Sequence, residues 1–452
     1  MSLRLSDAAH GEVRSMMKLA GPVVMAEVGW FAMGLVDTIM VGPLGPASIG
    51  AVGTGSILFM TLMVFGFGTL LALDTFVSQS FGAGRIDECH RWLFAGLQLA
   101  LLLSAVLMLA SVVGLAFLPA VGFHPDVLVE LNAYTRPLIW SVLPLLAYVV
   151  FRRYLQAMNI VRPVMIALVA ANLMNLFGNW VLIYGHLGMP AMGVEGSAYA
   201  TVASRIVLAV SLFGVILYNE RGNPSGMHDV PIQWEADRVW RLFRLGWPAA
   251  LQITLEVGVF AAASALAARI GPTASAANQV VLNIAGLIFM IPYGLGSAAA
   301  VRVGQAVGRR DADGMRRAGW TALALGSIVM IGSAVLFLTM PAALIRVYSS
   351  DAGVIELGVV LLFLCSVFQL FDGLQTVATG ALRGLGDTRT PMMFNLVGHW
   401  LIGLPIGYVL CFNRNWGVAG LWAGLSAGLI LIGASLLIVW NVKSRARVLM
   451  EA

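Results

Sequence analysis

The chain has 452 residues, of which 59% are hydrophobic and only 11% are charged, and its mean hydropathy is +0.88. Soluble domains are about 45–50% apolar and about 25% charged, so this composition excludes a water-soluble fold, a disordered chain and a coiled coil. The formal net charge of +5 does not indicate a nucleic-acid partner, because the basic residues lie at the ends of apolar segments. Three scattered cysteines, Cys89, Cys365 and Cys411, give neither a disulfide framework nor the spacing of a metal site.

Twelve apolar stretches follow one another along the chain, from the first near residues 18–41 to the last near 417–441. An α-helix needs about 20 such residues to cross the hydrocarbon core of a bilayer. Backbone groups in hydrocarbon must be hydrogen-bonded within the protein, either by helices or by a closed β-barrel. Alternation at period two is weak here, so a β-barrel is not expected. The sequence therefore predicts an all-α integral membrane protein with twelve transmembrane helices.

The Lys and Arg residues are divided unevenly between alternate loops. The set of loops that includes both termini holds 22 of the 27 basic residues, among them Arg152, Arg153 and Arg383, whereas the other set holds four and Arg205 falls inside a span. Cytoplasmic loops of membrane proteins carry an excess of Lys and Arg. We therefore predict that both termini are cytoplasmic and that the number of spans is even.

The second half of the chain repeats the first. A shift of 226 positions without a gap brings residues 19–87 onto 245–313, and a shift of 224 relates a later Gly-Val pair. Six spans in each half make a parallel repeat about an axis along the membrane normal. We predict a six-helix lobe over 1–218, a cytoplasmic linker over 219–238 and a second six-helix lobe over 239–452. The clearest matches are Pro22 with Pro248, Gly45-Pro46 with Gly271-Pro272, Gln79 with Gln305, and Gly193-Val194 with Gly417-Val418.

Sequence motifs of enzymes are missing. The chain has no HExxH, GxSxG or Walker lysine motif, and its six histidines are isolated from one another. His399, in the eleventh span, is interpreted as a packed histidine rather than a proton carrier. We therefore expect no catalytic residues, no enzymatic activity and no cofactor.

Acidic residues within the spans are the most informative feature. A carboxylate at the bilayer centre costs about 2.5–3.5 kcal/mol on insertion scales, so it must be protonated, ion-bound, paired or in contact with water. We interpret Asp37, Glu256 and Asp372 as functional residues. Glu27 remains open between a functional role and a polar contact between helices. Asp74 is interpreted as a capping or snorkelling residue, so that Asp74→Asn is expected to be mild.

Uncharged polar side chains share helix faces with these acids, because residues three, four or seven apart lie on one face. These polar helix faces predict two interior cavities, one in each half. Arg205 could supply a counter-charge to any of the acids. Abundant Met and Phe residues in the same spans would suit varied flat ligands. The sets with this spacing are Gln252 with Glu256, Gln279 with Asn283, Gln369 with Asp372 and Thr376, and Asn172 with Asn175 and Asn179.

Several short motifs carry a resemblance to a known family over about residues 15–445. They are Val36-Asp37-Thr38-Ile39-Met40-Val41-Gly42, Asn175 with Gly178-Asn179-Trp180, Leu255-Glu256-Val257, Gln279, Gln305 with Gly308, and Leu382-Arg383-Gly384-Leu385-Gly386-Asp387-Thr388-Arg389-Thr390-Pro391-Met392. With these motifs in a twelve-span chain, the sequence resembles the multidrug and toxic compound extrusion (MATE) family, in its bacterial NorM-type branch.

The resemblance implies two six-helix lobes that export lipophilic organic cations in exchange for Na⁺ or H⁺. In NorM-like members a Glu of span 7 and an Asp of span 10 form a cation site, and these positions are Glu256 and Asp372, which would hold Na⁺ in a sodium-coupled protein. The corresponding cluster of the first lobe is Asp37 with Asn175 and Asn179. A multi-pass monomer of the bacterial inner membrane is expected, with the lipid bilayer and cationic drugs or dyes as its partners.

The residues by themselves indicate a secondary transporter and leave two alternatives open. A major-facilitator-type protein also has six plus six spans, but usually a longer central loop than the roughly 20 residues here. A flippase for lipids or lipid-linked precursors would be expected to carry more basic groups in its cavity. The sequence does not decide between Na⁺ and H⁺, and it does not identify the physiological substrate.

Overall fold

The computed structural model of the protein describes residues 2–121, 125–222 and 225–451. These residues form helices joined by short loops, and no β-strand occurs among them, which confirms the predicted all-α class. Numbered in chain order, the helices are α1 (Ser2–Val41), α2 (Pro46–Leu70), α3 (Ala72–Gly82), α4 (Ile86–Phe117), α5 (Pro125–Trp140), α6 (Val142–Ala157), α7 (Arg162–Tyr184), α8 (Gly193–Gly222), α9 (Ala236–Ile270), α10 (Pro272–Gly308), α11 (Ala312–Thr339), α12 (Pro341–Arg346), α13 (Ala352–Gly384), α14 (Arg389–Asn395), α15 (Leu404–Tyr408) and α16 (Val418–Glu451). Two π-helical segments, Leu396–Gly403 and Val409–Asn413, flank α15.

The number of spans agrees with the prediction. Within the described ranges, eleven helical segments are long and apolar enough to cross a membrane, and α5 with α6 makes the twelfth if this pair is one span. The pair is bent by 51° around Ser141. Pro144 explains the bend, because its ring lacks an N–H donor and clashes with the carbonyl group four residues earlier.

The chain divides into two compact units. Residues 25–250 form the N-terminal unit, and residues 1–24 together with 251–452 form the C-terminal unit. The first part of α1, up to Val24, thus belongs to the C-terminal unit, and the first part of α9, up to Ala250, belongs to the N-terminal unit. The predicted lobes would place each of these parts in the other unit. The exchanges occur close to Pro22 and Pro248, which lie inside these two helices. The predicted division at 1–218, 219–238 and 239–452 stays a prediction.

The internal repeat is visible in the backbone. Gly45 and Gly271 have φ angles of 124° and 155°, and each precedes the proline that begins a helix, α2 or α10. Gly193 and Gly417 have φ angles of 57° and 58°. Residues with a Cβ atom rarely adopt such angles, so glycine at these positions lets the chain turn in the same way in both halves.

Small residues bring α10 and α13 into direct contact within the C-terminal unit. A Cβ atom added at Gly380 would lie 2.0 Å from the carbonyl oxygen of Gly296, and one added at Gly384 would lie 2.6 Å from that of Ala300. Close backbone approach at positions four residues apart is typical of packed membrane helices. This contact holds α13, which carries Asp372, against α10.

Three basic residues that the charge pattern places in cytoplasmic loops lie inside the bundle instead. Arg152 and Arg153 belong to α6, Arg383 belongs to α13, and all three are buried. The prediction was wrong for these residues because hydropathy alone does not reveal a buried partner for a charge. Without them the basic residues still divide 19 to 4 between the two sets of loops, so the asymmetry remains.

Candidate functional site

A cavity of about 400 Å³ lies within the C-terminal unit, between α9, α10 and α13. Its walls are mostly aromatic and aliphatic, and its polar groups include two carboxyl groups and one guanidinium group. Such a combination of apolar walls and a few polar groups is typical of small-molecule sites. The aromatic walls are formed by Phe260, Phe289, Tyr293 and Phe368, and the polar lining by Gln252, Glu256, Asp372, Thr376, Thr379 and Arg383.

The two carboxyl groups of the cavity are connected by one amide. Gln375 Nε2 donates to Glu256 Oε1 at 2.9 Å and to Asp372 Oδ1 at 3.3 Å. Gln252 Nε2 donates to the other oxygen, Glu256 Oε2, at 2.9 Å. Asn395 Nδ2 lies 3.5 Å from Gln375 Oε1 and orients the bridging amide. Two acids from different helices therefore share one set of amide donors.

Helix periodicity explains how the sequence builds this site. Gln252 and Glu256 are four residues apart on α9, and Asp372 and Gln375 are three residues apart on α13. Residues at these spacings are neighbours on a helix surface. Trp400 Nε1 donates to the carbonyl oxygen of Leu255 at 3.0 Å, which fixes α9 next to Glu256.

Hydroxyl groups extend the polar surface of the cavity along α13. Thr376 and Thr379 line it, and their Oγ1 atoms are buried without a hydrogen-bond partner among the described residues. Buried hydroxyl groups normally have a partner, so these two are available to a ligand or water. No group of three or more His, Cys, Asp or Glu side chains that could hold a metal ion occurs in the described part of the chain. The oxygen atoms present fit a transported monovalent cation better than a resident transition metal.

Three residues predicted for the cavity lie elsewhere in the same unit. Gln369 is fully buried, and its amide oxygen is 3.7 Å from Cys365 Sγ. Gln279 is exposed and donates to Asn283 at 3.3 Å. None of the three lines this cavity or has a described bond to either acid. The predicted set of Gln369, Asp372 and Thr376 is thus divided by the fold, since only the last two line the cavity.

A second polar cluster lies in the N-terminal unit and includes Asp37. Asn179 Nδ2 donates to Asp37 Oδ1 at 2.8 Å, and Thr201 Oγ1 donates to Asp37 Oδ2 at 2.9 Å. Asn175 lies next to them, with its Oδ1 atom 3.3 Å from Asn179 Nδ2 and its Nδ2 atom 3.3 Å from Thr201 Oγ1. All four residues are buried. The structure therefore brings together Asp37, Asn175 and Asn179 as expected, and it adds Thr201.

Asn172 does not join this cluster. Its Nδ2 atom donates to the backbone oxygens of Gly29 at 3.2 Å and Leu168 at 2.9 Å. A contact of this kind connects α1 with α7 and leaves no donor directed at Asp37. The predicted face of three asparagines is therefore divided between a structural contact and the cluster.

The other two acids of the N-terminal unit form buried ion pairs. Glu27 accepts a hydrogen bond from Arg152, and Asp74 Oδ2 lies 3.5 Å from Arg153 Nη1. Asp74 has no exposed surface, so its interpretation as a capping or snorkelling residue is wrong. Burial with an oppositely charged partner is how carboxylates within membranes avoid their full desolvation cost.

The sequence reasoning missed Gln375, Thr201 and Arg383 as site residues. Gln375 is three residues from Asp372 and had the same helical signal as Gln369. Thr201 was separated from Asp37 by most of the N-terminal unit, and no spacing connected them. Arg383 follows a long apolar stretch, so the sequence places it in a loop. Only the packing of the helices within each unit reveals which of these side chains converge.

The family model MatE matches the chain twice, over residues 22–181 and 248–409, so the matches begin 226 residues apart. Among curated proteins, "Probable multidrug resistance protein NorM" of Mesorhizobium japonicum is 35% identical over 443 residues, covering 96% of this chain and 94% of that protein. "Multidrug resistance protein NorM" of Aliivibrio fischeri is 33% identical, with 97% of each chain covered.

Solved structures show the same fold at lower identity. The eukaryotic MATE transporter AtDTX14 superposes with a TM-score of 0.86 at 22% identity, covering 98% of this chain and 100% of that chain. A MATE protein in a bent conformation has a TM-score of 0.87 at 17% identity, with 98% of each chain covered. The two-lobe architecture is thereby confirmed, and the family match does not support the major-facilitator alternative. This chain belongs to the MatE family of membrane transporters, in the branch of the bacterial NorM proteins.

Proposed function

We propose that this protein is a multidrug efflux transporter that exports lipophilic organic cations by antiport with Na⁺ or H⁺. The observation that carries the proposal is the pair Glu256 and Asp372, joined by Gln375 at one side of an aromatic cavity. The names of the NorM relatives support the drug-efflux part of the proposal. No cofactor is needed other than the coupling ion.

The chemistry of the cavity favours a cationic ligand. Two carboxyl groups and one guanidinium group line it, so its formal charge is negative when both acids are ionised. Aromatic faces attract organic cations through their quadrupoles, by about 0.5–2 kcal/mol per contact. A flippase for anionic lipid precursors would be expected to have a basic cavity, and this one has a single Arg. The lining therefore supports a lipophilic cation over a lipid phosphate.

The same carboxyl groups can couple the two transported species. Two ionised acids that share one amide repel each other, and an arriving Na⁺ or proton relieves that repulsion. A cationic drug in the cavity relieves it too, so the drug and the ion compete for the same negative charge. Exchange requires that binding of one ligand weakens binding of the other, and competition for the same charge provides that negative coupling.

The buried charges of the N-terminal unit support placing the coupling site in the other unit. Among the described residues of this unit, the buried acids Glu27 and Asp74 are paired with arginines, and Arg205 lies one helix turn from Thr201, which donates a hydrogen bond to Asp37. Its acids are thus compensated from within the protein. In the C-terminal unit, Glu256 and Asp372 outnumber the one arginine of their cavity. Uncompensated negative charge is the property that a transported cation requires.

Transport by purified protein in liposomes, with Na⁺ and pH gradients imposed separately, tests this proposal. One-for-one exchange of a monovalent organic cation for Na⁺ or H⁺ moves no net charge, so the concentration gradient of the ion and not the membrane potential has to drive efflux. Efflux of a fluorescent organic cation is expected under one of the two gradients and should stop when both are collapsed. Efflux that continues with ATP alone would contradict the proposal.

We also propose that the protein is a monomer of the bacterial inner membrane with both termini in the cytoplasm. The basic asymmetry supports this orientation. Each polar cluster is complete within one chain, which supports a monomer.

Cysteine labelling tests the orientation. The described free cysteines are all buried, so their background reactivity should be low. Ser225 is a poor label site because its Oγ atom is 2.9 Å from His90 Nε2, whereas the neighbouring His228 is exposed. Cysteines at His228 and Ser350 are expected to react from the inside and the outside of the membrane, respectively. Reaction of both from one side would contradict the orientation.

Replacement of Gln375 with Leu is expected to lower ion-driven efflux at least about tenfold per folded molecule. The change removes two hydrogen bonds to carboxyl groups, which are worth about 1.5–3 kcal/mol each when the partner is charged, and about 1.4 kcal/mol corresponds to tenfold. Gln369→Leu is the matched control, because Gln369 is equally buried and lies three residues before Asp372, whereas Gln375 lies three residues after it. The control should stay within about twofold. Equal losses in both variants would show that only packing was disturbed.

A further inference from the structure

The cluster around Asp37 has the oxygen atoms of a cation site. Two carboxylate oxygens, the amide oxygens of Asn175 and Asn179, and the hydroxyl of Thr201 lie together in the interior of the N-terminal unit. Asn179 Oδ1 is buried without a hydrogen-bond partner among the described residues. Hard oxygen atoms of this kind are the ligands that alkali and alkaline-earth cations prefer.

Arg205 lies one helix turn from this cluster. It follows Thr201 by four residues on α8, so the two side chains share a helix face. Its Nη1 atom donates to Ser141 Oγ at 2.7 Å, and its guanidinium carbon lies 4.7 Å from the ring centroid of Phe59. Ser141, at the break between α5 and α6, is fully buried, so the guanidinium group is held from two sides.

Arg205 and Asp37 lie near each other without forming a direct ion pair. In the described part of the chain, no carboxylate lies within 4.0 Å of its nitrogens, and its Nε atom is buried without a partner. Asp37 is nevertheless the acid next to Arg205, because it accepts a hydrogen bond from Thr201 Oγ1 at 2.9 Å, and Thr201 lies one helix turn from Arg205. An arginine within a membrane span is costly, so its retention beside one acid indicates a function for its charge.

We propose that Arg205 determines the ion specificity of the Asp37 cluster, because its guanidinium group supplies the positive charge there and so prevents Na⁺ from binding. The cluster keeps the oxygen ligands of a sodium site but has a resident cation one helix turn away. Repulsion between two positive charges at such a distance in a protein interior weakens binding by at least about tenfold. Removal of the guanidinium group should therefore convert the cluster into a Na⁺ site.

Binding of radioactive Na⁺ to purified protein tests this inference independently of transport. The parent is the Glu256→Gln, Asp372→Asn double variant, so that bound Na⁺ cannot be attributed to the C-terminal cavity. This parent is expected to bind no Na⁺ at the Asp37 cluster. Arg205→Met in the same background is expected to gain saturable Na⁺ binding, with an affinity at least about tenfold higher than that of the parent. Asp37→Asn should abolish this gain.

Two controls separate charge from packing. Arg205→Lys retains the positive charge and should remain without Na⁺ binding, although it loses the planar contact with Phe59. Each variant is checked for folding by gel filtration and thermal unfolding. A folded Arg205→Met protein that gains no Na⁺ binding would overturn the inference, as would a gain in Arg205→Lys.

A further comparison requires no variant of Arg205 and remains decisive if Arg205→Met does not fold. Na⁺ binding is measured with Arg205 intact, in the parent and in the parent that also carries Asp37→Asn. Equal binding by the two proteins is expected. Na⁺ binding that is present in the parent and lost with Asp37→Asn would show that the cluster accepts Na⁺ despite the arginine.

Discussion

Glu256→Gln and Asp372→Asn are each expected to abolish ion-coupled efflux while the yield of folded protein stays at the level of the unchanged protein. A neutral amide imitates the electrostatic state in which the ion has already bound. The remaining acid then has no charged neighbour to repel, so neither Na⁺ nor H⁺ changes the balance between states. Drug and ion no longer compete for the same charge, and coupling is lost.

Folding should tolerate these two changes. In Glu256→Gln, one oxygen becomes an amide nitrogen and loses its bond to Gln252 or Gln375, which costs about 1.5–3 kcal/mol when the carboxyl group is charged. The same change removes a carboxylate from the membrane interior, which relieves about 2.5–3.5 kcal/mol of insertion cost. The two effects are of similar size and opposite sign, so misfolding is not expected.

Efflux under an imposed ion gradient, divided by the amount of folded protein, is the measurement. Glu356→Gln is the matched control, because Glu356 lies on the same helix as Asp372 but is exposed. It should transport normally. If Glu256→Gln and Asp372→Asn also retain ion-driven efflux, the two acids are structural contacts and the coupling site lies elsewhere.

The fold could be predicted because the duplicated features are those that determine backbone conformation. Hydropathy gave the spans, and paired glycines and prolines such as Gly45-Pro46 and Gly271-Pro272 gave the repeat. The charges do not follow the repeat. At a shift of 226 positions, Glu256 corresponds to Trp30, and Asp37 corresponds to Ala263. The repeat therefore predicts the framework of each half but not the location of its site.

Within a site, helix periodicity leaves a choice that only packing decides. Gln369 and Gln375 lie three residues before and after Asp372, so both are its neighbours on the helix surface. They are six residues apart, so their side chains point about 120° away from each other around the helix axis. Gln375 faces α9 and bridges to Glu256, whereas Gln369 lies next to Cys365. A sequence without known helix contacts cannot distinguish the two.

The buried arginines were missed for a related reason. Arg152 and Arg153 are consecutive, and successive residues on a helix point about 100° apart. Each can therefore reach a different neighbouring helix, Arg152 toward Glu27 on α1 and Arg153 toward Asp74 on α3. The partners are 125 and 79 residues away in sequence, so no local pattern connects them. Two adjacent positive charges at the end of an apolar stretch are consequently predicted to lie in a loop.

The pair Asp74 and Arg153 reverses the expectation of a mild Asp74→Asn change. Asp74 has no exposed side-chain surface, and the side chain of Arg153 is 6% exposed. Asparagine keeps the shape of the side chain but leaves the arginine charge buried without its carboxylate. Loss of one partner of a buried pair typically costs about 3–5 kcal/mol, whereas loss of both is often nearly neutral. Asp74→Asn and Arg153→Met should each be strongly destabilising, and the double variant much less so.

Unfolding of the four proteins in detergent, arranged as a double-mutant cycle, measures this effect. If Asp74→Asn unfolds at the same denaturant concentration as the unchanged protein, the pair does not stabilise the fold. Additive losses in the double variant would mean that the two side chains act separately. Transport distinguishes this pair from the cavity acids, because Asp74→Asn should reduce the amount of folded protein while each folded molecule still couples efflux to the ion. Glu256→Gln should do the opposite, since its carboxylate is required for coupling and its charge is a cost to folding.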